Sequence, residues 1–176
     1  KERTPIGCPW SRIVNIHPTL RSFSFEIRSI TQSSSRDVQS GLSAITCFPA
    51  YKPVIASDPQ PITDDWVRQM PQEQLLGAAD IVTLHVHLDD RTRGMFGAMQ
   101  LAKMKRGAFL VNTSRGGLID ADALVAALES GHLGGAGLDV ICGEREEDRT
   151  RRPLFRYAMT HDNVILTPHI GGWTVA

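Results

Sequence analysis

Net charge is the first thing this sequence lacks: 19 Lys and Arg offset 19 Asp and Glu over 176 residues. Without a general basic field, nucleic acid is not an expected partner. Cysteine is scarce, and Cys8, Cys47 and Cys142 form neither a CxxC pair nor a disulfide framework. A reducing, cytoplasmic setting is therefore expected. No apolar run approaches the roughly 18 residues of a membrane span, and there is no secretory h-region, so no membrane association is expected. The chain starts at Lys1 rather than at methionine, so its true N-terminus is expected to be missing.

What remains is 41% hydrophobic, enough for one domain with a core. From about residue 54, strand patterns alternate with helix patterns. Strands are expected over 53–57 (PVIAS), 81–86 (IVTLHV), 108–113 (AFLVNT), 135–140 (GAGLDV) and 163–168 (NVILTP). Helices are expected over 72–80, 97–105 and 120–131, the last capped by Asp120 and stopped at Gly131. Near-continuous apolar strands alternating with helices imply an α/β fold with a mostly parallel sheet. Residues 1–50 read differently. Strands over 11–18 and 22–28 and a loop over 31–41 are expected there, and residues 1–36 hold six Lys/Arg against only Glu2 and Glu26. An Arg- and Ser-rich start suits a transit peptide, but a polar, poorly packed leader is the preferred reading.

The stretch VNTSRGGLID (111–120) ends a strand and begins a helix, with Arg115 on the turn between them. Alone, Arg115 is a solvated loop residue. In an open parallel sheet it is an anion receptor, because ligands bind outside the carboxyl ends of the strands. The run from ADIVTLHVHLDD (79–90) through NTSRGG (112–117) to GAGLDV (135–140), with TPHIGG (167–172), resembles the cofactor domain of the D-isomer-specific 2-hydroxyacid dehydrogenases. The match extends from about Pro53 to the end of the chain.

That resemblance implies an incomplete Rossmann-type, doubly wound domain over residues 51–176, NAD as cofactor, and a small 2-hydroxy or 2-keto acid as substrate. A homodimer is the expected assembly. It implies a catalytic trio of Arg115, Glu144 and His169. The residue types suit the chemistry: a guanidinium grips a carboxylate bidentately, and histidine exchanges a proton near neutral pH. A neighbouring carboxylate orients the imidazole. Taken singly, each is ordinary: a surface arginine, a structural histidine, and a glutamate in the charge run GEREEDRTRR (143–152). Glu144 also separates the chain from the formate dehydrogenase branch, for which the family pattern has glutamine. Asp58, closing VIASDP, is expected on the adenosine ribose hydroxyls, favouring NAD over NADP, and otherwise is a turn residue before Pro59. Val86, Thr113, Ser114, Arg115, Asp139, His169, Gly171 and Gly172 are expected around the nicotinamide. His85 and His87 have a metal reading, but without further ligands no metal is expected.

The family pattern fails in one region. Its glycine fingerprint should begin near Ser35, where this chain has SRDVQS (35–40), without a glycine. Bulky side chains there would keep a pyrophosphate from the backbone amides. The substrate domain is also unmatched, which is expected of a truncated or rearranged gene. Two readings therefore stand beside the enzyme: a non-catalytic binding or oligomerisation member of the superfamily, and an inactive remnant.

Overall fold

The computed structural model describes residues 54–63, 65, 67–144 and 149–171. The expected leader, its two strands, and Gly172 lie outside the described residues.

Six strands and four helices alternate along the described chain: β1 (Val54–Ala56), β2 (Val67–Gln69), α1 (Gln72–Ala78), β3 (Ile81–Leu84), α2 (Ala98–Lys103), β4 (Phe109–Asn112), α3 (Ala121–Glu129), β5 (Gly135–Leu138), α4 (Pro153–Thr160) and β6 (Val164–Leu166). Every strand pairing is parallel. The strands form two ladders, β1-β2 and β3-β4-β5-β6. The fold is therefore α/β with parallel pairing, as the alternation implied, and Rossmann-like, as the resemblance implied. Each element expected from residue 53 onward is present, shorter by two or three residues in all. Two were not anticipated, β2 and α4.

Local chemistry explains the elements. All four residues of β3 are buried, as in a strand covered on both faces. Asp120 caps α3, its carboxylate accepting hydrogen bonds from the Asp122 and Ala123 amides at 3.1 Å. Leu124 and Leu128, four apart, bury one stripe of that helix. Pro153 stands at the first turn of α4, where its missing N–H costs nothing. Neighbouring helices touch in series, α1 on α2, α2 on α3 and α3 on α4. The order β3-β4-β5-β6 advances in one direction, and crossovers of one hand then set their helices side by side. One core joins them, with Leu75, Leu76, Phe96, Leu101, Leu110, Leu118 and Leu124 essentially inaccessible. No helix among the described residues is long and apolar enough to cross a membrane.

Candidate active site

Arg115 follows the carboxyl end of β4, and Asn112, the last residue of that strand, determines its position. Asn112 is completely buried. Its Oδ1 accepts from the Ser114 amide at 3.0 Å, and its Nδ2 donates to the Arg115 carbonyl at 2.9 Å. The Ser114 hydroxyl donates to the Val86 carbonyl at 2.6 Å, tying the turn to the end of β3. The Arg115 guanidinium is exposed and uses one donor on the Ser114 carbonyl, at 2.7 Å. Among the described residues, its other four N–H groups have no hydrogen-bond partner and suit an anion.

The next residue must be glycine. A Cβ on Gly116 would lie 2.1 Å from the Ile141 carbonyl carbon and 2.4 Å from the Cys142 amide nitrogen. The Arg115 turn is thus pressed against the chain leaving β5, and that chain carries Glu144. Gly143, with φ +74°, makes the left-handed step before Glu144, which side chains other than glycine's disfavour.

His169 comes from the segment after β6. Its Nδ1 lies 2.7 Å from Glu144 Oε1. Imidazole and carboxylate are both partly exposed, 44% and 27%. His169 itself has φ +55°, rare for a residue with a side chain. Asp139 holds it there. The Asp139 carbonyl accepts from the His169 amide at 3.0 Å. Its carboxylate accepts from the Thr167 hydroxyl, from the Ile170 amide at 3.0 Å and from the Gly171 amide at 2.7 Å. One buried carboxylate therefore fixes the turn that presents the imidazole.

Arg115, Glu144 and His169 line one cleft of about 360 Å³, together with Leu88, Arg93, Gly117 and the strip Val140–Gly143. This is within the usual range of small-molecule sites. The structure brings the three expected residues together. Val86, Thr113, Ser114, Asp139 and Gly171 lie just past the carboxyl ends of β3 to β6. Asp58 stands apart, beyond the end of β1. Its Oδ1 accepts from the Gln60 amide at 2.7 Å, the turn role anticipated as its alternative. His85 Nε2 lies 3.1 Å from Thr83 Oγ1, and burial lowers the His85 pKa below its ordinary value. His87 is exposed. Among the described residues, no group of three or more His, Cys, Asp or Glu is arranged to hold a metal.

Asn112, Thr167 and Arg93 were not anticipated. The first two carried a signal, a polar residue closing an otherwise apolar strand. Arg93 carried none, because only the fold brings residues 93 and 115 to one cleft.

The family profile described as D-isomer specific 2-hydroxyacid dehydrogenase, NAD binding domain, matches residues 45–171. A D-specific alpha-keto acid dehydrogenase of Enterococcus faecium is 45% identical over 115 residues, covering 61% of this chain and 36% of that protein. A hydroxypyruvate reductase of Thermotoga maritima is 43% identical over 122 residues, covering 69% and 39%. Among solved structures, the NAD-complexed D-isomer specific 2-hydroxyacid dehydrogenase of Lactobacillus delbrueckii ssp. bulgaricus superposes with a TM-score of 0.65 at 34% identity, over 68% of this chain and 39% of that one. The chain spans about a third of the length of the curated relatives it matches.

Proposed function

The chain belongs to the NAD-binding domain family of the D-isomer specific 2-hydroxyacid dehydrogenases, and on that premise we propose that it carries the catalytic half of an NAD-dependent oxidoreductase for a small 2-hydroxy or 2-keto acid. The observation that carries the reading is the 2.7 Å contact between His169 Nδ1 and Glu144 Oε1, at the wall of the cleft that Arg115 also lines.

The chemistry follows from what each group can do. Glu144 accepts a hydrogen bond from the Nδ1–H, which fixes the imidazole tautomer and leaves Nε2 as the exchanging nitrogen. No described residue hydrogen-bonds Nε2. In the reduction direction, Arg115 grips the substrate carboxylate with its open donors and sets the keto oxygen against Nε2. The protonated imidazole gives its proton to that oxygen, and Glu144 stabilises the imidazolium beforehand. In the oxidation direction, Nε2 takes the hydroxyl proton. The nicotinamide, when bound, supplies or accepts the hydride at C2. The residues at the strand ends suit its nicotinamide half: ligands of open parallel sheets bind in that crevice, and Val86, Thr113, Ser114, Asp139 and Gly171 all stand there. Asp58, at the end of β1, has the position of a ribose-binding acid. We assign residues 51–176 to this cofactor unit and 1–50 to an unmatched leader or divergent segment, and propose a cytoplasmic homodimer.

The test joins residues 51–176 to the substrate domain and glycine turn of a relative. The hybrid is expected to oxidise NADH with glyoxylate or hydroxypyruvate. His169→Ala should abolish turnover while NADH still binds measurably, and Arg115→Gln should act mainly by raising KM. A hybrid that folds and binds NADH but reduces no small 2-keto acid refutes the reading.

A further inference from the structure

The cleft holds a second arginine that the chemistry above does not use. Arg93 lines it with Arg115, Glu144 and His169. The two arginines come from different segments held in register. The Gly94 amide donates to the Gly117 carbonyl at 2.8 Å, the Phe96 amide to the Leu118 carbonyl at 2.9 Å, and the Asp120 amide to the Phe96 carbonyl at 3.0 Å. The backbone before Arg93 is equally fixed. The Asp89 carboxylate accepts from the Arg91 and Thr92 amides at 2.8 and 3.0 Å, and the Thr92 hydroxyl donates to the His87 carbonyl at 2.7 Å. The guanidinium reaches over the Arg-Gly-Gly turn: Arg93 Nη1 is 3.6 Å from where a Cβ on Gly117 would sit. Asp89 is occupied by its own turn, and among the described residues no carboxylate pairs with the Arg93 side chain.

Charge counting gives this arrangement a meaning. The acid form needed for reduction carries an imidazolium. The lining then has three cations, Arg93, Arg115 and His169, against one anion, Glu144. A ligand with a single carboxylate leaves one positive charge uncompensated, and a ligand with two negative charges balances the lining. We propose that Arg93 is a specificity-determining residue of this site. It would receive a second oxyanion, carboxylate or phosphate, at the end of the 2-keto acid remote from C1. This rests on the function proposed above, since it takes Arg115 as the receptor for the C1 carboxylate.

The experiment is an NMR titration of the purified chain at constant ionic strength, following the arginine Nε–H resonances. The probes are pyruvate, oxaloacetate and 3-phosphonopyruvate, which share a keto acid head and differ in the second group. At least one probe with a second anionic group should bind about two- to fivefold more tightly than pyruvate, a gain of the size expected for one solvent-accessible charge pair. The better of the two identifies the oxyanion. Arg93→Gln should bring that ratio to about one, Arg93→Lys should restore part of it, and Arg115→Gln should weaken all three probes. If pyruvate binds through Arg115 but a second charge gives no advantage, or the advantage survives in Arg93→Gln, the role of Arg93 is refuted and the proposed function stands. If pyruvate and both probes with a second anionic group fail to bind the chain and also the hybrid carrying a relative's substrate domain, the proposed function falls, and this inference with it.

Discussion

Gly116→Ala is the substitution whose outcome the structure constrains most tightly. Gly116 lies in a short 3-10 turn without a positive φ, so alanine's backbone preferences cost nothing there. The penalty is purely steric. The added methyl would stand 2.1, 2.4 and 2.6 Å from the Ile141 carbonyl carbon, the Cys142 nitrogen and the Ile141 oxygen. All three are backbone, so no rotamer change relieves them, and the two segments must separate by more than an ångström. Overpacking of this kind costs about 1–3 kcal/mol, and an unyielding neighbour puts it at the upper end. For a chain of this size, that is a fall in Tm on the order of 10 °C. Gly117→Ala is the internal control. Its methyl would meet the Leu88 Cδ2 at 2.9 Å, the far end of a flexible side chain, and should cost below about 1 kcal/mol. Both variants can be compared by thermal unfolding monitored by circular dichroism. Amide shifts of Ile141–Glu144 would report the displaced wall. If Gly116→Ala melts with the unmodified protein and leaves those shifts in place, the close approach of the Arg115 turn to the Glu144 segment is wrong.

Asp58→Asn keeps an acceptor for the Gln60 amide while removing the charge, so it should narrow a preference for NAD over NADP without unfolding the turn. Calorimetric titration with both cofactors measures it, and equal affinities in the unmodified protein would remove Asp58 from the ribose site. His85 has a pKa lowered by burial, so below its ordinary value of about 6.5 the unfolded chain takes up a proton that the folded chain resists. Stability should therefore fall as pH drops through 6.5 and level off once folded His85 protonates; urea unfolding at pH 7.5 and 5.5 should show a smaller loss for His85→Gln than for the unmodified protein. Asp120→Ala removes the cap of α3 and should cost about 1 kcal/mol in the same assay. An unchanged midpoint would mean that the capping bonds contribute nothing.

Much of this was legible in the residues because the signals were local. Strands β3 to β6 announce themselves by apolar runs, and α3 by its cap and its Leu124–Leu128 stripe. The expected end of β4 overran because β-branched Thr113 reads as strand, although the Asn112 side chain has already closed the turn. The two missed elements lacked such signals. β2 is the triplet Val-Arg-Gln with two exposed residues, held by pairing to β1 rather than by its own pattern. α4 follows a charge run that reads as solvated, although Pro153 at its first turn and buried Leu154, Phe155 and Tyr157 mark it. At the site, Arg115, Glu144 and His169 were readable as a set only through the family resemblance of the motifs that carry them. The Asp139 carboxylate was expected near the nicotinamide, and its hold on the Ile170 and Gly171 amides emerges only when β5 lies beside β6.

The register of the four-stranded ladder also sets how the cleft comes into being during folding. Ile81 pairs with Phe109, Phe109 with Gly135, and Ala136 with Val164, so each new strand docks 28, 26 and 28 residues after its predecessor. Each docking closes a loop of nearly the same length, at an entropic cost of roughly 3 kcal/mol. Growth can therefore proceed one strand-helix unit at a time, without a large barrier reserved for any single step. Each unit delivers one working group as it docks: β4 brings Arg115, β5 brings Glu144, and β6 brings His169. A nascent chain emerging amino-end first would acquire Arg115, then Glu144, and His169 last. On the function proposed above, the three groups stand together only once the final strand is in place.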